Sequence, residues 1–452
     1  MLARLFKFEQ NRTCLKTELL AGLTTFVTMS YILAVNPDIL SAAGMDKSAI
    51  LFATAIASFV GCVLMGVFTN YPFALAPGLG LNAYFAYTVC LGMGYSYKFA
   101  LLAVFVEGLI FVALSVTGFR EAMVEAIPAS LKQGISAGIG LFIVFIGLQG
   151  ANLIVGNDST LVSLVDFNAG FSAQGLPALL AVLGLLLICV LSYKQVKGAV
   201  LLGIVATWLL GIVCELTGLL SVGGDTGLAS LLPDFSGFSL GAVTQNLGSC
   251  FAFRDMSFRW MDFIVVVFTF LYMDMFDTMG TLIGVSNDTG MLDANGTLPK
   301  AKGAFLSDAI ATSVGAVFGT STTTTFVESA AGVAVGGRTG LTAIVAGLLF
   351  LLSVFLYPLF VAIPSFATAP ALMYVGFQML KIITKFDFKD LLDFVPALLC
   401  VTVMAFSYSI SDGIGAGIIS YAVLALATGK GKRVSVFMFV LALAFIAKYA
   451  FL

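Results

Sequence analysis

The sequence predicts an all-α polytopic membrane protein, and three observations carry that prediction. Of its 452 residues, 60% are hydrophobic and only 10% charged, with a mean hydropathy of +1.06; soluble domains carry about 25% charged residues. Apolar runs of roughly 17–25 residues, the length that crosses a bilayer as a helix, recur along the whole chain. Basic residues gather in alternate loops rather than scattering. The composition also excludes functions. There is no histidine, which removes the commonest metal ligand and proton shuttle and leaves carboxylates as the intramembrane proton carriers. The seven cysteines are scattered without a CxxC and read as small packing residues, so no metal site and no cofactor is expected. No basic block suggests nucleic acid; lipid is the expected surroundings.

Residues 1–19 hold Arg4, Lys7, Arg12, Lys16 and Glu18, too much charge for a cleaved signal, and are read as a cytoplasmic N-terminus. Seven candidate spans follow at 20–37, 48–69, a short one at 77–92, 99–118, 133–150, 177–193 and 199–219. After a long extracytoplasmic loop at 220–260, seven more lie at 261–285, 303–318, a short one at 324–337, 341–363, 368–383, 391–409 and 412–428. The remainder, 429–452, is a basic turn and an apolar tail whose uninterrupted run is short for a span. With the N-terminus inside, seventeen Lys and Arg fall in cytoplasmic segments and four outside (Lys47, Lys98, Arg254, Arg259), with Lys448 in the tail completing the 22. Omitting either short span would reverse every later loop. Both are therefore counted, which makes fourteen.

The chain also repeats itself. Ala55-Ile-Ala-Ser58-Phe-Val-Gly61 recurs as Ala309-Ile-Ala-Thr312-Ser-Val-Gly315, each copy leading into one of the short segments, and Pro177-Ala-Leu-Leu180 recurs as Pro396-Ala-Leu-Leu399. Residues 20–219 and 261–428 then form two copies. Seven spans is an odd number, so the second copy lies upside down. Inverted repeats with matching broken helices mark secondary transporters, with the site between the breaks.

The breaks have distinct chemistry. Pro72-Phe-Ala-Leu-Ala-Pro77-Gly78-Leu-Gly80-Leu-Asn82-Ala83-Tyr84-Phe85 loses helical hydrogen bonds to two prolines and offers Asn82 as donor and acceptor. Thr320-Ser-Thr-Thr-Thr-Thr325-Phe326-Val-Glu328-Ser329 sets hydroxyls and one carboxylate in an apolar chain, a poor lipid-facing helix and a good cavity wall. The hydroxyls of 322–325 are expected to satisfy the broken backbone or line a water path. Asp274 and Asp277 stand three apart, so they share a helix face with Thr278 and Thr281. A charge at bilayer depth costs ~2.5–3.5 kcal/mol, so each acid needs a use. Two aspartates opposite Glu328 suit a neutral polar ligand with a coupling proton; a sodium ion held by the same oxygens is the rival, and inter-helix hydrogen bonding is the structural alternative. Glu107 and Glu215 lack polar neighbours and are read as packing or interface residues.

Thr25-Phe-Val-Thr-Met-Ser-Tyr-Ile-Leu-Ala-Val-Asn36-Pro37, Ala76-Pro-Gly-Leu-Gly-Leu-Asn82-Ala-Tyr-Phe85, Met275-Phe-Asp277-Thr-Met-Gly280-Thr and Glu328-Ser-Ala-Ala-Gly332 together resemble an AzgA-like purine permease of the nucleobase–ascorbate transporter superfamily. The resemblance covers essentially the whole chain. It implies a 7+7 inverted repeat, with spans 1–4 and 8–11 forming a core domain and spans 5–7 and 12–14 a gate domain. Spans 3 and 10 would carry short extended strands. It implies a purine bound between them against span 8, carried by elevator movement, with proton coupling. The site then falls on Asp277, Thr281, Glu328 and the stretch Gly80 to Ala83 with Asn82; Phe85, Tyr84 or Phe326 could stack on the ring, and Ser329 completes the set. Thr281 stands where the superfamily often has an ionisable residue, so Asp274, Asp277 and Glu328 are the candidate proton carriers. A homodimer is a family expectation. The alternatives are a sulfate-type anion transporter or a channel on the same fold, or sodium-coupled uptake of another nucleobase; no nucleophile–base pair or nucleotide loop suggests an enzyme.

Overall fold

The computed structural model describes residues 2–117, 127–168, 170–223, 230–235, 245–252, 259–289, 291 and 298–451. Arg120 and Arg254 of the topology count lie outside these residues, as does much of the 220–260 loop. The chain is mostly helical, and each of the fourteen predicted segments holds a helix or a strand followed by a helix.

In the first half these are α1 (Leu15–Met29), α2 (Ile32–Ser41), α3 (Lys47–Thr69), strand β1 (Leu75–Pro77) and α4 (Leu79–Ala83), which runs into a π-helix at Tyr84–Gly92. Then come α5 (Tyr97–Thr117), α6 (Ala129–Gly150), the hairpin β2 (Ile154–Asn157) and β3 (Leu161–Leu164), α7 (Leu176–Tyr193) and α8 (Ala199–Leu216). The second half has α9 (Trp260–Thr289), α10 (Ala301–Phe318), β4 (Thr323–Thr325), α11 (Ser329–Val335), α12 (Gly340–Leu352), α13 (Tyr357–Val361), α14 (Ser365–Leu380), α15 (Leu391–Phe406), α16 (Ile410–Ala427) and α17 (Val436–Phe451). Among the described residues nine helical stretches are long and apolar enough to cross a membrane, from Leu15–Ser41 to Ile410–Ala427. Leu79–Gly92, Leu391–Phe406 and Val436–Ala447 are shorter apolar helices.

Local signals explain the ends and the breaks. Asp46 caps α3 by accepting the Ala49 N–H, and Asn70 closes it in the left-handed conformation at φ 60°. The first span was expected to be one helix and is two. Pro37 has no N–H to return to Leu33, and the turn upstream is held by the tighter bonds Leu33 N–H to Ser30 O and Ala34 N–H to Tyr31 O. The all-α reading needs one addition. The polar stretch after α6 forms the β2–β3 hairpin, antiparallel from Ile154↔Leu164 to Asn157↔Leu161. The tail is a continuous helix that packs on α16.

The helices sort into two packing groups. α3 lies against α10 and α12, α5 against α9 and α10, and α1 against α11 and α12; separately, α6 lies against α14 and α15, α7 against α8 and α14, and α15 against α16. Lipid gives helices little hydrophobic reason to associate, so close approach of backbones does the work. Gly140 and Gly376 let α6 and α14 meet this way: a Cβ on Gly376 would stand 2.5 Å from the Gly140 carbonyl. Within the first group, against α3, β1 pairs antiparallel with β4, Leu75↔Thr325, Ala76↔Thr324 and Pro77↔Thr323.

Candidate functional site

The crossing of β1 and β4 makes a floor out of two broken spans. Backbone inside a membrane must find partners. Gly78 N–H donates to Thr322 O and Phe326 N–H to Ala74 O, both at 3.0 Å. Thr312 Oγ1 takes the Thr323 N–H at 3.0 Å and donates to Thr323 O at 3.1 Å, and Ser329 Oγ accepts the Ala74 N–H at 2.9 Å. The broken backbone is therefore satisfied by β1, Thr312 and Ser329 rather than by the hydroxyls of 322–325; of the two roles expected of that run, Thr324 and Thr325 do line the cavity. Among the described residues, the buried hydroxyls of Thr322, Thr323 and Thr325 have no partner.

Beside this floor lies a cavity of about 760 Å³, within the roughly 300–1,000 Å³ of small-molecule sites. Thr28 and Tyr31 enter from α1 and the turn after it, Gly78 to Leu81 from α4, and Met273, Asp277 and Thr281 from α9. Thr324 to Glu328 and Ala331 form another wall. Ile139 and Ile143 of α6 and Tyr374, Val375, Gln378 and Met379 of α14 face them, and the cavity runs out to the turn at Ser192–Val200.

Five expected site residues meet there: Gly80, Asp277, Thr281, Phe326 and Glu328. Asp277 Oδ2 lies 3.5 Å from where a Cβ on Gly78 would stand, so the carboxylate sits over bare backbone. Glu328 begins α11 without capping it; its Oε1 accepts the Tyr31 hydroxyl at 2.7 Å. Four others do not reach the lining. Ser329 serves the backbone, as above. Asn82 and Ala83 are fully buried behind the wall, and among the described residues neither polar atom of Asn82 has a partner. Asp274 points away from the cavity: Thr278 Oγ1 lies 3.4 Å from Asp274 Oδ1, donates to Asp308 and meets Thr324 Oγ1 at 2.9 Å. Asp308, on α10 in the ninth span, is fully buried in this cluster. Tyr31, Thr28, Tyr374 and Gln378 were missed. For Tyr31 the signal was present, since it lies in the motif Thr25 to Pro37 and one turn from Thr28. Among the described residues no three His, Cys, Asp or Glu side chains gather as metal ligands.

The outer acids have structural partners. Glu215 accepts from Ser230 Oγ at 2.8 Å and Leu231 N–H at 3.0 Å. Fully buried Glu18 takes the Thr342 hydroxyl at 2.6 Å and the Thr339 hydroxyl at 2.8 Å, tying α1 to the start of α12.

A helical membrane protein with two broken spans crossing beside an acid-lined cavity is a permease architecture, not an enzyme's. The Permease family model (Xan_ur_permease) matches residues 16–426, and the chain belongs to that family. It is 42% identical over 427 residues to the guanine/hypoxanthine permease PbuG of Bacillus subtilis, covering 92% of each chain. It is 39% identical over 455 residues to the adenine permease AdeP of Escherichia coli, covering 100% of this chain and 96% of that one. Among solved structures, the transmembrane domain of the cyanobacterial bicarbonate transporter BicA superposes with a TM-score of 0.61 at 17% identity, covering 89% of this chain and 97% of that one. That similarity is one of fold alone.

Proposed function

We propose that this chain is a secondary active transporter that imports a purine nucleobase across the plasma membrane, by proton symport and an elevator movement, with its N-terminus in the cytoplasm. The observation that carries the reading is the pair of carboxylates, Asp277 and Glu328, facing one cavity beside the β1–β4 floor. A purine edge presents N–H donors; carboxylates accept them, and the rings of Phe326 and Tyr374 can cover its face. The adenine and guanine/hypoxanthine permeases among its relatives support the substrate class. The fourteen elements act as a 7+7 inverted repeat. The α1–α5 and α9–α13 group is the moving core, and the α6–α8 and α14–α16 group the fixed gate. Since the cavity runs to the turn carrying Lys194 and Lys197, this conformation faces the cytoplasm.

Uptake of radiolabelled hypoxanthine, guanine, adenine and uracil into a purine-transport-deficient bacterium, with and without a protonophore, tests the proposal. Purine uptake that collapses with protonophore is expected. Asp277→Asn and Glu328→Gln each remove a charged acceptor worth about 1.5–3 kcal/mol, so purine affinity should fall roughly 10- to 100-fold. Full uptake by both variants would sink the carboxylate site.

A further inference from the structure

We infer that Tyr31 is a positioning residue for substrate recognition: its phenol holds one oxygen of Glu328, so that this carboxylate presents a single aimed acceptor to the base. The inference rests on the purine reading above and adds a part of the site supplied by the first span. Three observations carry it. Tyr31 is 1% exposed and yet lines the cavity, with its hydroxyl 2.7 Å from Glu328 Oε1. Glu328 stands at the start of α11 and makes no capping bond to that helix, and among the described residues the Tyr31 phenol is the side chain that bonds its carboxylate. Tyr31 itself is fixed by the break between α1 and α2, where Ala34 and Val35 N–H both bond to its carbonyl at 3.0 Å.

A glutamate has three side-chain torsions, and an unrestrained one loses that freedom when it grips a ligand. A phenol held in place before binding removes the loss and leaves Oε2 as the acceptor for one ring N–H. Without it Glu328 can rotate and take either oxygen to the ligand, so both affinity and the penalty for a misplaced N–H should fall.

The test measures equilibrium binding of hypoxanthine and its N-methylated analogues to the purified protein, for the parent, Tyr31→Phe, Glu328→Gln and the double variant. Tyr31→Phe is expected to weaken hypoxanthine about tenfold and to narrow the gap between hypoxanthine and the analogue that lacks the N–H facing Glu328. The double variant should bind no worse than Glu328→Gln alone, because the phenol acts through that carboxylate. Losses that simply add, or a Tyr31→Phe protein that weakens every analogue by one factor, overturn the inference, since a packing role predicts both. Should Tyr31→Phe fail to reach the membrane, Glu328→Asp keeps the charge and withdraws it from the phenol. The same narrowed selectivity supports the role, and parent selectivity overturns it. A parent that binds no purine overturns the proposed substrate instead.

Discussion

Gly80 faces Ile139 so closely that a Cβ there would stand 2.7 Å from Ile139 Cγ2, with Ile143 Cδ1 at 3.9 Å. The two residues belong to different packing groups, so any sliding between the groups happens across this contact. Overpacking by one methyl typically costs about 1–3 kcal/mol. Gly80→Ala should therefore cut uptake about tenfold or more while leaving the amount of protein in the membrane unchanged, and Ile139→Ala should restore uptake in the double variant. Failure of that rescue would mean the glycine serves something other than clearance. The hydroxyl of Thr278 sits at the centre of a buried polar cluster: it donates to Asp308, meets Thr324 Oγ1 at 2.9 Å and lies 3.4 Å from Asp274 Oδ1. Thr278→Val keeps the shape and strips the hydroxyl from buried acids, a loss of about 1–3 kcal/mol. The melting temperature in detergent should drop for Thr278→Val and stay at the parent value for Thr278→Ser.

Between elements, the turn at Gly431–Arg433 is pinned to the start of α15. Arg433 Nη1 lies 2.9 Å from Asp390 Oδ2 and Lys430 Nζ 4.0 Å from Oδ1. The hydrogen bond from Arg433 holds the Asp390 carboxyl below its usual range. A carboxyl depressed in the folded state contributes above its unfolded value, near 3.9, and loses the contribution as pH falls through the folded value. The pin is therefore complete above about pH 5 and weakens as pH falls toward the folded value. Asp390→Asn should speed tryptic cleavage at 430–433 at pH 7.5; unchanged digestion would show that the turn is held by other means. The same scale shows what a sequence can reveal. The broken spans were legible because Pro72, Pro77 and the run of hydroxyls at 320–325 cannot form a lipid-facing helix, and β1 and β4 formed where they fell. Asn82 and Asp274 were chosen by residue type, but cavity lining depends on helix rotation, and both point elsewhere. Tyr31 lay within the motif Thr25 to Pro37, but nothing in the sequence paired it with Glu328, 297 residues away; the fold does. The β2–β3 hairpin lay in a stretch with no alternation strong enough to mark strands.

Across the whole molecule, Asp38 joins the two packing groups at one end. Its Oδ1 accepts from Ser365 Oγ at 2.8 Å and Lys47 Nζ at 2.9 Å, and its Oδ2 from Thr368 Oγ1 at 2.8 Å. Ser365 opens α14, while Gln378 and Met379, near the other end of the same helix, line the cavity where it meets the Ser192–Val200 turn. One helix thus carries a bonded end and an open end. If the groups move as the proposed elevator requires, the Asp38 bonds must break whenever the cavity opens to the far side, and they favour the conformation seen here. Each charge-assisted bond contributes about 1.5–3 kcal/mol, enough for its loss to shift a two-state population roughly tenfold or more. A cysteine at Gln378, in a background with Cys14 and Cys189 replaced by serine, reads that population through an impermeant thiol reagent. In inside-out vesicles it should label readily on the parent and several-fold more slowly with Asp38→Ala, and substrate exchange should change alongside. Equal labelling rates with and without Asp38 would show that these bonds hold the groups together without choosing which way the cavity faces.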